Sequence, residues 1–153
     1  MEPASRGGIL GPQAGPSNGY VMGGYPAGCA VDRINFANDT ATAVTKGDLC
    51  FPSYRGGGNG NQSFGYTFGG NGSSKVSRLD YANDTSAGSQ RGNLYTPADY
   101  CATVGNNNYG YTGGRPWGNP SLLARVDYSN DTVQEALLGT NLFTMPGYYG
   151  YGG

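Results

Sequence analysis

The chain is 153 residues long, about the size of one domain, with a formal net charge of −1, 29 glycines, 13 tyrosines and no histidine. The missing histidine excludes a Ser-His-Asp triad, a His-assisted cysteine nucleophile and a His metal site. Nine Lys and Arg spread along the chain argue against a nucleic-acid partner, and 23 Leu, Ile, Val and Phe leave any core dependent on tyrosine rings.

Residues 1–18 read as a flexible Gly/Pro-rich arm. The first 17 lack the apolar stretch of a signal peptide, and no apolar run in the chain approaches the about 18 residues of a membrane span. Three repeats follow, at residues 19–64, 65–109 and 110–146, and residues 147–153 resemble the opening strand of a fourth. Each repeat opens on a Gly-Tyr motif: GYVMGG at 19–24, GYTFGG at 65–70 and the shorter GYTGG at 110–114. A ten-residue motif comes next: VDRINFANDT at 31–40, VSRLDYANDT at 76–85 and LARVDYSNDT at 123–132. Its arginines, Arg33, Arg78 and Arg125, stand 45 and then 47 residues apart. A weaker third motif closes each repeat: KGDL at 46–49, RGNL at 91–94 and the degraded LGTNL at 138–142.

The ten-residue motif has a period of two, which predicts a strand. Ile34 with Phe36, Leu79 with Tyr81 and Val126 with Tyr128 fall on an apolar face. Arg33 with Asn35, Arg78 with Asp80 and Arg125 with Asp127 fall on the other. Asn-Asp-Thr then reads as a turn. The Gly-Tyr motif reads as a short strand running into a glycine turn. The Gly/Asn-rich stretches 55–63 and 105–108 read as one inter-strand loop in successive repeats, and only 132–138 hints at a helical period. Cys29, Cys50 and Cys101 show no C-x-x-C spacing and read as small apolar residues, with a Cys29–Cys50 bridge left open.

A repeat of 45 to 47 residues built from short strands suits a propeller blade better than a β-helix rung. The double glycine followed 11 to 14 residues later by an aromatic (Phe36, Tyr81, Tyr128) resembles the kelch repeat of β-propellers. The tryptophan that kelch units place a few residues further on is absent; Thr42, Ala87 and Gln134 stand there. The chain is more similar still to kelch-like units of predicted structural and fibre proteins of aquatic bacteriophages and related viruses. Those read approximately Gly-Tyr-Phe-Gly-Gly-Gly and then Val-Asp-Arg-Ile-Asp-Tyr-Ser-Asn-Asp-Thr. The resemblance covers residues 19–142. It implies a non-enzymatic architectural or attachment role and brings no catalytic residue or cofactor with it.

Closed propellers have about four to eight blades, so three repeats and a partial strand predict completion by oligomerisation. The strand at 147–153 is expected to complete a repeat across a subunit boundary. A two-fold pair then closes a ring of six, and a head-to-tail contact that does not close makes a filament.

The expected fold is therefore all-β, with kelch-like blades. Arg33, Arg78 and Arg125 are expected to pair with carboxylates of their own or a neighbouring strand, Asp80 and Asp127 among them. A ring of arginines recognising an anionic glycan is the alternative. Phe36, Tyr81 and Tyr128 are repeated core residues. Asn38, Asn83 and Asn130 begin N-x-T acceptors for glycosylation, for which a turn stabilised by local side-chain bonds is the preferred reading. Asp39, Asp84 and Asp131 sit in turns without a D-x-D-x-D-G loop, so no metal is expected. Trp117, in a Pro-flanked loop, is the candidate exposed contact. The functional expectation is a structural protein without catalysis or cofactor, located in a virion or outside the cell. It would assemble with itself into a fibre, appendage or filament. A carbohydrate-binding propeller acting as a receptor-binding module is the alternative.

Overall fold

The computed structural model describes residues 18–26, 28–115 and 119–139. The chain is all-β, with eleven strands and no α-helix among the described residues. The strands form three antiparallel sheets, each a simple meander. The first contains β1 (Asn18–Met22), β2 (Val31–Asn35) and β3 (Val44–Thr45). The second contains β4 (Gly57–Gly60), β5 (Phe64–Phe68), β6 (Lys75–Asp80) and β7 (Ser89–Asn93). The third contains β8 (Ala102–Gly105), β9 (Tyr109–Arg115), β10 (Asn119–Asp127) and β11 (Ala136–Gly139). The Gly-Tyr motif thus supplies β1, β5 and β9, and the ten-residue motif supplies most of β2, β6 and β10.

The second and third sheets begin one strand before their Gly-Tyr motif, at β4 and β8. The stretch corresponding to them ahead of β1 lies outside the described residues, as do residues 1–17 of the expected arm and the strand expected at 147–153; Asn18, the arm's last residue, begins β1. Residues 57–60, expected as part of a loop, are a strand. Their composition hides it because crowding, rather than propensity, selects glycine there. A Cβ on Gly57 would stand 2.1 Å from Thr103 Cγ2 of β8, and one on Gly60 would stand 2.4 Å from the Phe64 carbonyl oxygen. The Thr103 hydroxyl donates to the Gly58 carbonyl at 2.8 Å, holding β4 against β8. The true loops are shorter and share one device. Asn61 Oδ1 accepts from the N–H groups of Ser63 and Phe64, both at 2.9 Å. Asn106 Oδ1 accepts from those of Asn108 and Tyr109, at 2.8 and 2.9 Å. Residues 136–139 form an edge strand on β10 instead of continuing a helix. Val133, Leu137 and Leu138 are all exposed, so a helix there would have no apolar face to bury.

Cross-strand register decides what each face carries. Tyr20 lies opposite Arg33, Tyr66 opposite Arg78 and Tyr111 opposite Arg125, so each Gly-Tyr tyrosine shares a face with the repeat arginine. On the opposite face Gly19, Gly65 and Gly110 lie across from Ile34, Leu79 and Val126. Gly19 and Gly110 seat the aromatic two residues beyond their partner: a Cβ on Gly19 would meet Phe36 Cζ at 2.5 Å, and one on Gly110 would meet the Tyr128 hydroxyl at 2.7 Å. The Gly-Gly ends of the motif do need left-handed backbone, with φ of 78° and 111° at Gly23 and Gly24 and of 61° and 91° at Gly69 and Gly70.

No sheet owns a core. One apolar cluster joins Tyr20, Met22, Val31 and Leu49 of the first repeat to Leu79 and Tyr81 of the second. The other joins Tyr66, Phe68, Val76, Leu94, Ala98 and Cys101 of the second repeat to Val126 and Tyr128 of the third. Each core is therefore a seam: the tyrosine–arginine face of one sheet lies against the glycine-seated aromatic face of the next. The second sheet is covered on both sides, which a single alternating pattern does not anticipate. The three cysteines are free thiols: Cys29 half-buried, Cys50 exposed and Cys101 buried. Burial, Asp48 and Cys50 together push the Cys29 thiol up.

The third motif lies in the seams. The Gly47 N–H donates to the Asp84 carbonyl at 2.8 Å, and the Gly92 N–H donates to the Asp131 carbonyl at 2.7 Å. The next repeat's backbone passes so close that a Cβ on Gly92 would stand 1.8 Å from the Val133 carbonyl oxygen. We expect Gly92→Ala to force the second and third sheets apart and lower the unfolding free energy by about 2 kcal/mol, read from urea titration.

Candidate functional site

Two seams of the same construction hold the sheets together, and their centre is a buried aspartate. It is placed by a local device. Asn35, Asp80 and Asp127 end their strands and accept, each at 2.9 Å, from the N–H two residues ahead (Ala37, Ala82 and Ser129). That bond caps a single 3-10 turn over Phe36–Asn38, Tyr81–Asn83 and Tyr128–Asn130. Asp39, Asp84 and Asp131 follow at its C-terminal end.

Asp84 reaches back to the first repeat. Its Oδ2 accepts from the Tyr20 hydroxyl at 2.8 Å and from Arg33 Nη1 at 2.9 Å, while Oδ1 meets Lys46 Nζ at 3.1 Å. Asp131 does the same to the second repeat, accepting at Oδ2 from the Tyr66 hydroxyl at 2.7 Å and from Arg78 Nη1 at 2.8 Å. Arg91 Nε lies 3.5 Å from the same oxygen, close enough for ion pairing though without a hydrogen bond. Beside each carboxylate two rings stack: Tyr20 on Tyr81 at 4.8 Å, and Tyr66 on Tyr128 at 4.5 Å. Such stacking contributes about 1 kcal/mol beyond area burial. Backbone bonds run in both directions, with Gly88 N–H to Asp48 and Glu135 N–H to Asn93 returning those made by Gly47 and Gly92. The second seam adds the buried Glu135 carboxylate, which accepts from the Thr112 hydroxyl and, at 3.0 Å, from the Tyr95 N–H.

Electrostatics follow from this geometry. Burial raises the Asp84 carboxyl, but the Tyr20 hydroxyl, Lys46 and Arg33 outweigh it and hold the group below its usual range. Burial, reinforced by the Asp84 carboxylate, pushes the Tyr20 hydroxyl up to about 12. Burial and Asp131 also raise Tyr66. Tyr81 and Tyr128 are raised chiefly by burial. Outside the seams, hydrogen bonds from the Ser129 hydroxyl and N–H hold Asp127 down, with Arg125 adding through space.

Arg33, Arg78 and Arg125 each lie across from the Gly-Tyr tyrosine of their own sheet, and Arg33 and Arg78 take partners other than Asp80 and Asp127. Asp80 and Asp127 cap the 3-10 turns, while Arg33 and Arg78 pair with the Asn-Asp-Thr aspartate of the following repeat. Tyr81 and Tyr128 pack in the seams. Phe36, their first-repeat equivalent, is 39% exposed. Asn38, Asn83 and Asn130 are all exposed, as glycosylation acceptors or turn residues would both be. Trp117 lies outside the described residues. No local pattern marks Tyr20, Tyr66, Lys46, Arg91, Asp84 and Asp131 as partners of one another. Their signal was present: every repeat carries the tyrosine, the arginine and the aspartate, and two repeats begin the third motif with a cation. Among the described residues no group of three or more Cys, Asp or Glu converges to hold a metal, and no helix is long and apolar enough to cross a membrane.

At either end of the stack the seam residues face no further sheet among the described residues. The first sheet offers exposed Asp39 beside Phe36 and the half-buried Ile34. The third offers half-buried Tyr111, Leu123 and Arg125. Arg125 forms no ion pair among the described residues and lies 4.4 Å over the Tyr109 ring, as Arg78 lies 4.2 Å over Phe64.

The three equivalent aspartates should respond differently to one substitution. In dilute solution Asp84→Ala lowers the unfolding free energy by about 3 kcal/mol, Asp131→Ala lowers it similarly, and Asp39→Ala leaves the urea midpoint unchanged. The pH dependence has two ends. Asp84 is depressed in the folded state, so its contribution is complete above about pH 4 and is lost as pH falls through the folded value. Tyr20 is raised, so its contribution is complete below about pH 10 and is lost as pH rises towards 12. Melting temperature measured against pH should fall at both ends, and Tyr20→Phe should flatten the alkaline one. Comparison with protein-family models gives no match, and comparison with curated proteins gives none either.

Proposed function

We propose that this chain is a non-enzymatic structural protein that assembles with copies of itself into a viral fibre or appendage, or an extracellular filament. On this reading the three sheets are kelch-like blades whose array is completed by oligomerisation. One observation carries it: the sheets are joined by the same kind of seam twice, and among the described residues each end of the stack presents one half of that seam. Repeat units bury their faces only against neighbours, so an unfilled half is a surface built for another unit. The mechanism is packing: tyrosine rings and a shared carboxylate between sheets, with no bond made or broken. A location in the virion or outside the cell follows from this role.

A second reading, carbohydrate binding by a receptor-binding module, is favoured by one surface cluster. Arg55 stands between the Tyr54 and Tyr100 rings, at 5.0 and 5.1 Å, and Tyr25, 84% exposed, meets Tyr54 edge-on at 5.9 Å. Arg55 and Tyr100 both adopt left-handed backbone, with φ of 65° and 53°. Aromatic faces beside a guanidinium suit a sugar ring with polar substituents.

Sedimentation velocity across a concentration series, with electron microscopy of the same material, tests the proposal. Self-assembly predicts species well above the 15.9 kDa chain that grow with concentration, seen as fibres or rings. A monodisperse monomer at every concentration contradicts it. A monomer that also binds a glycan array through Tyr25 and Tyr54 supports the second reading.

A further inference from the structure

We infer that the two open ends are the halves of a third seam: Asp39 of one copy docks between Tyr111 and Arg125 of a second copy, with Phe36 stacked on the Tyr111 ring. The inference rests on the self-assembly reading and assigns its joint. Its occupant is chosen by the chain itself. Tyr111 and Arg125 stand where Tyr20 with Arg33 and Tyr66 with Arg78 grip an aspartate. Asp39 stands where Asp84 and Asp131 are gripped, behind the same capped 3-10 turn. Phe36 corresponds to the stacked Tyr81 and Tyr128. Gly139 corresponds to Gly47 and Gly92, whose N–H groups bind the carbonyls of Asp84 and Asp131. The two ends are thus complementary in charge and in aromatic surface.

The joint differs from the internal seams in two ways. Leu138, 40% exposed, replaces the cation supplied by Lys46 and Arg91. Phe36 also lacks the buried hydroxyl of Tyr81 and Tyr128, which finds no partner in either internal seam. The inter-copy carboxylate therefore depends on one cation where the internal ones have two. It is the weakest link in the stack and the most sensitive to reversal of a single charge. Being head-to-tail, the contact gives a closed ring if the rotation closes and a filament if it does not.

Charge reversal tests this. Asp39→Arg and Arg125→Asp, each alone, should raise the concentration needed for assembly on the order of a hundredfold by sedimentation velocity. The double variant D39R/R125D should assemble again, and so should an equimolar mixture of the two single variants, because each then offers an Arg–Asp pair at the joint. Single variants that assemble like the unaltered chain overturn the joint while leaving self-assembly standing, and so does a double variant no better than either single. An unaltered chain that stays monomeric removes the self-assembly reading as well. Regained assembly also shows that the single variants retain their fold.

Discussion

A carboxylate taken from water between two sheets is the constraint on which the rest of this structure depends. Asp84 and Asp131 are nearly fully buried, and such a charge is tolerated only with its partners in place. Each receives a tyrosine hydroxyl and an arginine from the preceding sheet, with a second cation nearby. Removing one partner leaves an uncompensated charge, so a sheet that docks in another register strands its own aspartate. The carboxylate thereby fixes which face meets which, and how far one sheet is offset along the next.

Seen this way, the composition follows from the seam. Tyrosine is abundant because one residue supplies both a stacking ring and the hydroxyl that the carboxylate needs. Glycine is abundant because the sheets approach closely. Gly57 leaves room for Thr103, Gly92 for the Val133 carbonyl, and Gly19 and Gly110 for the aromatic ring of their own strand pair. Few aliphatics are required when each apolar cluster is a thin layer between two sheets. The stack that results has two joints built on the same plan and two unlike ends.

Much of this was legible in the sequence. The period of two in the ten-residue motif identified the central strands, and it placed Leu79 with Tyr81 and Val126 with Tyr128 on a face that is buried. It misjudged the opposite face. Arginine with Asp or Asn reads as polar there, yet that face is covered as well: Tyr20 and Tyr66, across from Arg33 and Arg78, are buried once the neighbouring sheet is in place. Strand β4 was invisible because four residues of Gly and Asn carry no side-chain alternation. The pairing of Arg33 with Asp84 spans 51 residues and that of Arg78 with Asp131 spans 53, which no local pattern reveals. Asp80 and Asp127 were the nearer partners in sequence, but the N–H two residues ahead claims each of them first.

A structure of the assembled protein by electron cryomicroscopy tests the central claim most directly. The account predicts that the Asp39 carboxylate of each copy lies within hydrogen-bond distance of Arg125 and the Tyr111 hydroxyl of its neighbour, with Phe36 stacked on the Tyr111 ring. A map in which Asp39 faces solvent while the copies join through other surfaces contradicts it.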